Sequence, residues 1–128
     1  RLMGLRPNIH RGVDLDVPEG TSVRAVKDGR VRFAGVMDGY GNVVWLEHGD
    51  DLLTVYAHLS QIRITRGDVV DAGTVVGLSG ATGDASGPHL HFEVRINNRA
   101  VNPRTFLETA PNVLEEIRRA PQLASNSK

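Results

Sequence analysis

The segment from Gly87 to Asn98, with the sequence GPHLHFEVRINN, alternates apolar and polar residues along most of its length. Such alternation indicates a β-strand, because successive side chains of a strand point to opposite faces of the sheet. The apolar positions are Leu90, Phe92, Val94 and Ile96, and the polar positions are His89, His91, Glu93 and Arg95. We therefore expect a half-buried strand whose polar face carries two neighbouring histidines. That face is either a solvated surface or half of a functional site.

Most of the chain repeats this pattern in short segments separated by turns rich in Gly and Asp. In GVDLDV, the apolar side chains Val13, Leu15 and Val17 should face inward, with Asp14 and Asp16 outward. Further strand-like segments are TSVRAV, GRVRFAGV, NVVWLEH, LLTVYAHL and VVDAGTVVGLSG. Short strands at this spacing predict an all-β fold, a compact antiparallel sheet or sandwich.

A short helix is predicted near the C-terminus. Asn112 and Glu115 have the spacing of a capping box, and Pro121 would end the helix. The expected organisation is a lead-in at 1–8, a main domain at 9–110, a short helical tail at 111–121 and a disordered end at 122–128.

Composition excludes several classes of protein. The 128 residues suit one domain, and 15 basic residues balance 15 acidic ones, so a general nucleic-acid or anionic-membrane binder is not indicated. Cysteine is absent, which excludes disulfides and thiolate metal sites. No apolar run is long enough to span a bilayer. Because the sequence begins at Arg1 and shows no signal region, we expect a processed product or an excised domain.

Three separated segments carry histidine close to a predicted strand. NIHRGVDLDV contains His10 and Asp14, TVYAHLS contains His58, and the strand described first contains His89 and His91. Catalytic zinc sites use three nitrogen or oxygen ligands and leave one position for water. Each histidine by itself is more often structural, but four of the five histidines in such segments indicate a metal site.

Other ligand sets are compatible with the residues alone. A three-histidine site that includes His58 is chemically possible, but it leaves the pair His10 and Asp14 unexplained. Asp16 lies on the same strand face as Asp14 and is a second carboxylate candidate, although the spacing from His10 favours Asp14. The chain has no His-Glu-x-x-His helix, which excludes the helical metalloprotease arrangement.

Two further polar residues have structural interpretations. A cupin-like site would need a glutamate a few residues after His-x-His, where Arg95 and Ile96 stand. Glu93 is too close for that role, so we expect it to support a ligand or to stabilise the strand. His48 follows VVWLE at a strand end and precedes a turn, so a structural role is expected.

The segments HRGVDL, TVYAHLS and GATGDASGPHLHFEV resemble the signature segments of lysostaphin/LytM-type zinc endopeptidases. The resemblance covers roughly Ile9 to Leu107 and keeps the order of the motifs. His-x-x-x-Asp and His-x-His are weak motifs singly, but they are specific as a set with Tyr-Ala-His-Leu between them.

The resemblance implies one zinc ion per chain, held by His10, Asp14 and His91. His58 and His89 would be the catalytic pair beside the open coordination position. The implied fold is an antiparallel β domain with a loop-walled groove over the metal, so the main domain would be a catalytic domain.

The resemblance also implies a substrate and a location. Relatives of this type cleave peptide bonds in the cross-links or stem peptides of bacterial peptidoglycan, which places them in the cell envelope, periplasmic or extracellular. A regulatory segment or partner outside the sequence could cover the groove. Some relatives have lost ligands and act as wall-binding or amidase-activating modules. This chain retains all five matching residues, which favours the enzyme.

Overall fold

The structure of the protein, a computed structural model, describes residues 5–7, 12–83 and 85–101. Within these ranges every element of regular secondary structure is a β-strand, and every strand pair is antiparallel. This confirms the predicted fold class. These ranges contain no helix that could cross a membrane. The predicted helix at 111–121 and the end at 122–128 lie outside the described residues, and the domain boundaries stay predictions.

The strands, in chain order, are β1 Leu5–Pro7, β2 Val13–Leu15, β3 Ser22–Arg24, β4 Gly29–Met37, β5 Gly41–Glu47, β6 Leu52–Ile62, β7 Val69–Val70, β8 Val75–Ser79, β9 Leu90–Ile96 and β10 Arg99–Val101. The main sheet has the order β1-β2-β9-β6-β5-β4-β7. Strand β10 pairs with β9, and β8 joins β3 to β6. Strands β9 and β6 are therefore central, and the site residues on them are held from both sides.

Two short strands were not predicted from the sequence. Strand β1 lies in the expected lead-in and pairs with β2, but three residues are too few to show alternation. Strand β10 follows a turn at Asn97 and Asn98, which both have positive φ (52° and 65°). Two-residue hairpin turns of type I′ require positive φ at both central residues, and asparagine tolerates it. The Asn-Asn pair was therefore a usable hairpin signal.

The main hydrophobic core lies on one face of the sheet. Alternate residues of β9, β6 and β5 contribute Phe92, Tyr56 and Leu46, all completely buried. The rings of Tyr56 and Phe92 lie 5.6 Å apart between centroids. Leu15 and Val13 of β2 join the same core, as their alternation with Asp14 predicted. Burying one such side chain contributes roughly 1.5–3 kcal/mol.

The opposite face of the sheet is also covered, which corrects the expectation of a half-buried β9. Here Val43, Val55 and Ala57 form a second buried cluster, against which Phe33, Met37, Tyr40 and Trp45 pack. His91 is 4% exposed and Glu93 is 0% exposed. His91 and Glu93 can be buried because neighbouring side chains provide their hydrogen bonds. The alternation of the sequence does not show those neighbours.

A tight contact between two loops holds one end of the sheet together. Thr82 Oγ1 donates to the carbonyl of Leu59 at 2.7 Å and accepts the amide of Asn42 at 3.1 Å. Gly41, with φ +69°, lies so close that a Cβ atom there would be 2.5 Å from the carbonyl carbon of Thr82. The same atom would be 2.6 Å from the amide nitrogen of Gly83. Only glycine at position 41 lets these loops meet.

We expect Gly41→Ala to lower the free energy of unfolding by about 2–5 kcal/mol, the sum of left-handed strain and overpacking. Gly49→Ala is the matched control, because Gly49 also has positive φ (+89°) but has open space around it. That control should lose only about 1–2 kcal/mol. Urea unfolding of both variants measures the difference, and equal losses would show that the loop contact is not tight.

Candidate functional site

The pairing of β2 with β9 places Asp14 directly opposite His91. Asp14 Oδ1 lies 2.7 Å from Nδ1 of His91. His89 precedes His91 by two residues, and its Nε2 lies 3.7 Å from the same Asp14 oxygen. The aspartate and the two histidines, separated by most of the chain, therefore meet around one carboxylate.

His58 reaches this cluster from a β-bulge in β6. In the pairing of β5 with β6, Ala57 and His58 together face the single residue Val43. His58 has φ +64°, a left-handed conformation that is uncommon for a residue other than glycine. Its amide donates to the carbonyl of Tyr40 at 2.9 Å. A bulge changes the direction of a side chain, and here it accompanies a ring that lies 4.8 Å from the His89 ring.

His58 and His89 have the same expected tautomer. Nδ1 of His58 lies 2.7 Å from the carbonyl of Thr82, and Nδ1 of His89 lies 2.9 Å from the carbonyl of Gly87. A carbonyl oxygen only accepts, so we assign the proton of each neutral ring to Nδ1. Burial lowers the pKa of His58 by more than the Thr82 hydrogen bond raises it. His58 is therefore a neutral ring with Nε2 as its acceptor at neutral pH.

A buried glutamate supports His91 from the other side. Glu93 Oε2 accepts from Nε2 of His91 and from the hydroxyl of Tyr40, each at 2.8 Å. Arg95 Nε donates to Glu93 Oε1 at 3.0 Å. Burial raises the pKa of Glu93, but the hydrogen bonds from His91 and Tyr40 and the charges of His91 and Arg95 lower it by more. Glu93 is therefore an ionised acceptor.

The pKa of His91 moves in the opposite direction. Burial lowers it, but the carboxylates of Asp14 and Glu93 raise it by more, to about 9. The ring is thus held between two acidic groups, one at each nitrogen. Such a ring favours a positive charge at its position, whether from a proton or from a metal ion.

The structure brings together four of the five predicted site residues, which are Asp14, His58, His89 and His91. His10 lies outside the described residues. Within the described part of the chain, no three His, Asp or Glu side chains are arranged to hold a metal ion.

Two of the predicted ligands nevertheless fit zinc by their donor chemistry. Asp14 supplies an oxygen and His91 supplies Nδ1, and both atom types bind zinc. The other nitrogen of His91 contacts the Glu93 carboxylate, as metal-ligating histidines usually do. The third predicted ligand, His10, lies outside the described residues.

The remaining polar candidates lie elsewhere. His48 has both ring nitrogens engaged, with the carbonyl of Asp28 at 2.7 Å and with Thr54 Oγ1 at 2.7 Å. This agrees with the structural role expected for it. Asp16 follows the end of β2 and is exposed, whereas Asp14 lies in the cluster.

Sequence reasoning missed Tyr40 and Thr82. Tyr40 stands between two glycines in the segment DGYG, where the sequence predicts only a turn. A large aromatic residue in a turn of glycines was the available signal, because such turns mostly contain small or polar residues. Nothing in the sequence marked the carbonyl of Thr82 as the partner of His58.

A model of the family named Peptidase family M23 matches residues 8–103. The chain belongs to peptidase family M23. This confirms the resemblance to lysostaphin/LytM-type domains, and the M23 match includes every candidate site residue.

Curated M23 relatives include both enzymes and an activator. The chain is 43% identical over 107 residues to DD-carboxypeptidase/endopeptidase Mpg of Neisseria meningitidis, covering 84% of this chain and 25% of Mpg. It is 37% identical over 99 residues to the murein hydrolase activator NlpD of Salmonella typhimurium, covering 77% of this chain and 26% of NlpD. The chain thus spans about a quarter of the length of these relatives.

Solved M23 structures have the same fold. The catalytic domain of lysostaphin from Staphylococcus simulans superimposes with a TM-score of 0.76 at 36% identity, covering 82% of this chain and 89% of that domain. A zinc-containing peptidase from Vibrio cholerae superimposes with a TM-score of 0.70 at 40% identity, covering 72% of this chain and 28% of that one. The family assignment is therefore supported by sequence and by structure.

The left-handed backbone at His58 makes a prediction about stability. His58→Gly and His58→Ala remove the same ring, but only alanine keeps the steric penalty of positive φ. We expect the glycine variant to be more stable than the alanine variant by about 1 kcal/mol. Ala57→Gly, next to it and without positive φ, should instead lower stability by about 0.5–1 kcal/mol. Urea unfolding of the three variants measures these differences in stability. If His58→Gly is less stable than His58→Ala, the backbone at His58 is not strained.

Proposed function

We propose that this chain is the catalytic domain of a zinc-dependent endopeptidase that cleaves peptide cross-links or stem peptides of bacterial peptidoglycan. The observation that carries the proposal is the meeting of Asp14, His91, His89 and His58 on one face of the sheet. It combines an oxygen and a nitrogen donor for a metal with two further imidazoles. Membership of a peptidase family supports the same reaction class.

The proposed metal is one Zn²⁺ per chain. Asp14 and His91 would hold it together with His10. When bound, zinc supplies activation of water at neutral pH and polarisation of the scissile carbonyl. The zinc-containing peptidase among the solved M23 structures supports this choice of metal.

His58 and His89 are the proposed proton-transfer groups. Their rings are fixed by hydrogen bonds from Nδ1 to backbone carbonyls, which leaves each Nε2 as the reactive nitrogen. A neutral Nε2 can accept a proton from the attacking water. Once protonated, it can donate to the developing oxyanion or to the leaving amine. Asp14 Oδ1 lies 3.7 Å from Nε2 of His89, so the proposed proton-transfer ring lies beside a proposed metal ligand.

The proposed location follows from the proposed substrate. Peptidoglycan lies in the cell envelope, so the domain would act in the periplasm or outside the cell. The chain covers about a quarter of Mpg, and the remainder of such proteins could carry a regulatory segment or partner that covers the groove.

A wall-binding or amidase-activating module is the second candidate function. It is favoured by one specific observation, the 37% identity to the activator NlpD. The retained cluster of Asp14 with three histidines favours the enzyme, because binding alone does not require proton-transfer groups.

Incubation of the purified chain with isolated sacculi tests the proposed activity directly. We expect the zinc-loaded chain to release muropeptides with new peptide ends, and a chelated sample to release none. Mass spectrometry of the soluble fraction detects the ends and identifies the bond. If zinc-bound protein releases nothing from several wall types, the activator module becomes the better description.

Substitution of single histidines tests the assigned roles. His91→Ala should lose zinc and activity, whereas His58→Ala and His89→Ala should keep zinc and lose turnover by about 10²–10⁴-fold. His48→Gln, outside the cluster, is the control and should keep both properties. Zinc content by mass spectrometry and the rate of muropeptide release give the two readouts. Equal loss of metal in all three site variants would overturn the division of roles.

A further inference from the structure

Glu93 is a carboxylate with no exposed surface, in the centre of the sheet and on the face of the site. Burying a charge is unfavourable unless hydrogen bonds and opposite charges compensate it. Here both oxygens are engaged, Oε2 by His91 and Tyr40 and Oε1 by Arg95. A hydrophobic residue would fill this position of the core without such needs, so the arrangement calls for a role beyond packing.

The contact with His91 indicates that role. Nε2 of His91 lies 2.8 Å from Glu93, and Nδ1 lies 2.7 Å from Asp14. A metal binds the neutral ring, and if Glu93 keeps the Nε2 proton in that form, the lone pair is on Nδ1, the nitrogen beside the carboxylate of Asp14. The orientation and the tautomer needed for a ligand at Nδ1 are thus both set by Glu93.

Tyr40 links this support to the other half of the site. Its hydroxyl donates to the same oxygen of Glu93 that His91 contacts, and its backbone carbonyl accepts the amide of the His58 bulge. The phenol ring lies 6.1 Å from the His91 ring between centroids. One turn residue therefore contacts both the support of the predicted ligand and the backbone of the predicted catalytic histidine.

Arg95 completes the set. Its Nε donates to Glu93 Oε1, and its guanidinium lies 5.1 Å from the centroid of the Trp45 ring. The aromatic face and the carboxylate fix the guanidinium between them. The charge of Glu93 is thereby balanced from the side away from His91.

We propose that Tyr40, Glu93 and Arg95 form a positioning network that holds Nδ1 of His91 toward the metal site, so that zinc affinity depends on three residues that do not touch the metal. This inference rests on the proposed function, because it concerns the same site. It assigns to Glu93 a definite task, and it adds Tyr40 and Arg95, which no sequence motif suggested. The three act through the ring of His91 and are therefore positioning residues.

Zinc affinity of the 128-residue chain, measured without substrate by competition with a chromogenic chelator, tests the network. Glu93→Gln keeps the shape of the side chain but removes its charge, and should weaken zinc binding by about 10–100-fold. Tyr40→Phe removes one hydrogen bond and keeps the ring, so its effect should be at the lower end, about tenfold. In both variants, raising free zinc should restore much of the lost turnover.

Tyr56→Phe is the matched control. Its hydroxyl is also buried and hydrogen-bonded, to Thr54 and the amide of Val26, but it lies on the opposite face of the sheet. This variant should unfold at lower urea concentration and bind zinc as the wild type does. If Tyr56→Phe weakens zinc binding as much as Tyr40→Phe, the effect is general loosening of the sheet and the network is overturned.

Unchanged zinc affinity in both Glu93→Gln and Tyr40→Phe also overturns the network, and it does so even when muropeptide release is intact. Conversely, a wild-type chain that binds zinc but releases no muropeptides overturns the proposed activity. In that case weakened zinc binding in the two variants still supports the network. The two failures are therefore distinguishable.

Discussion

The antiparallel register between β2 and β9 is the constraint on which the site depends. Side chains alternate along a strand, so a slip of one residue would move Asp14 to the other face of the sheet, away from His91. What prevents the slip is the hydrophobic core, because Val13 and Leu15 are buried with Phe92. The core on one face thus sets the position of the chemical groups on the other.

The faces of the strands could be predicted from the sequence, whereas the surroundings of the polar residues could not. Alternation was sufficient to place His89 and His91 together, and motif order was sufficient to add Asp14 and His58. The surroundings of buried Glu93 could not be predicted, because one of its hydrogen bonds comes from Tyr40, a partner 53 residues away in a turn. Period-2 patterns carry information about neighbours on the same strand and none about a loop that folds over them.

The bulge at His58 could not be predicted for a different reason. Left-handed backbone is usually marked in a sequence by glycine or asparagine, as it is at Asn97 and Asn98. At His58 the side chain proposed for proton transfer occupies such a position without that mark. Histidine disfavours positive φ, but the position of this ring in the site requires it. The loops around Gly41 and Thr82 hold the backbone in that conformation.

The same disagreement bears on how a family can contain both peptidases and activators. The same fold can have different functions, because the side chains that carry out the chemistry are not the ones that form the hydrophobic core. A domain that only binds would not need the ring of His58, and a residue that tolerates positive φ could stand there without the backbone strain. At position 58, therefore, the backbone and the proposed chemistry favour different residues, and a variant that relieves the backbone strain loses the ring that would transfer the proton.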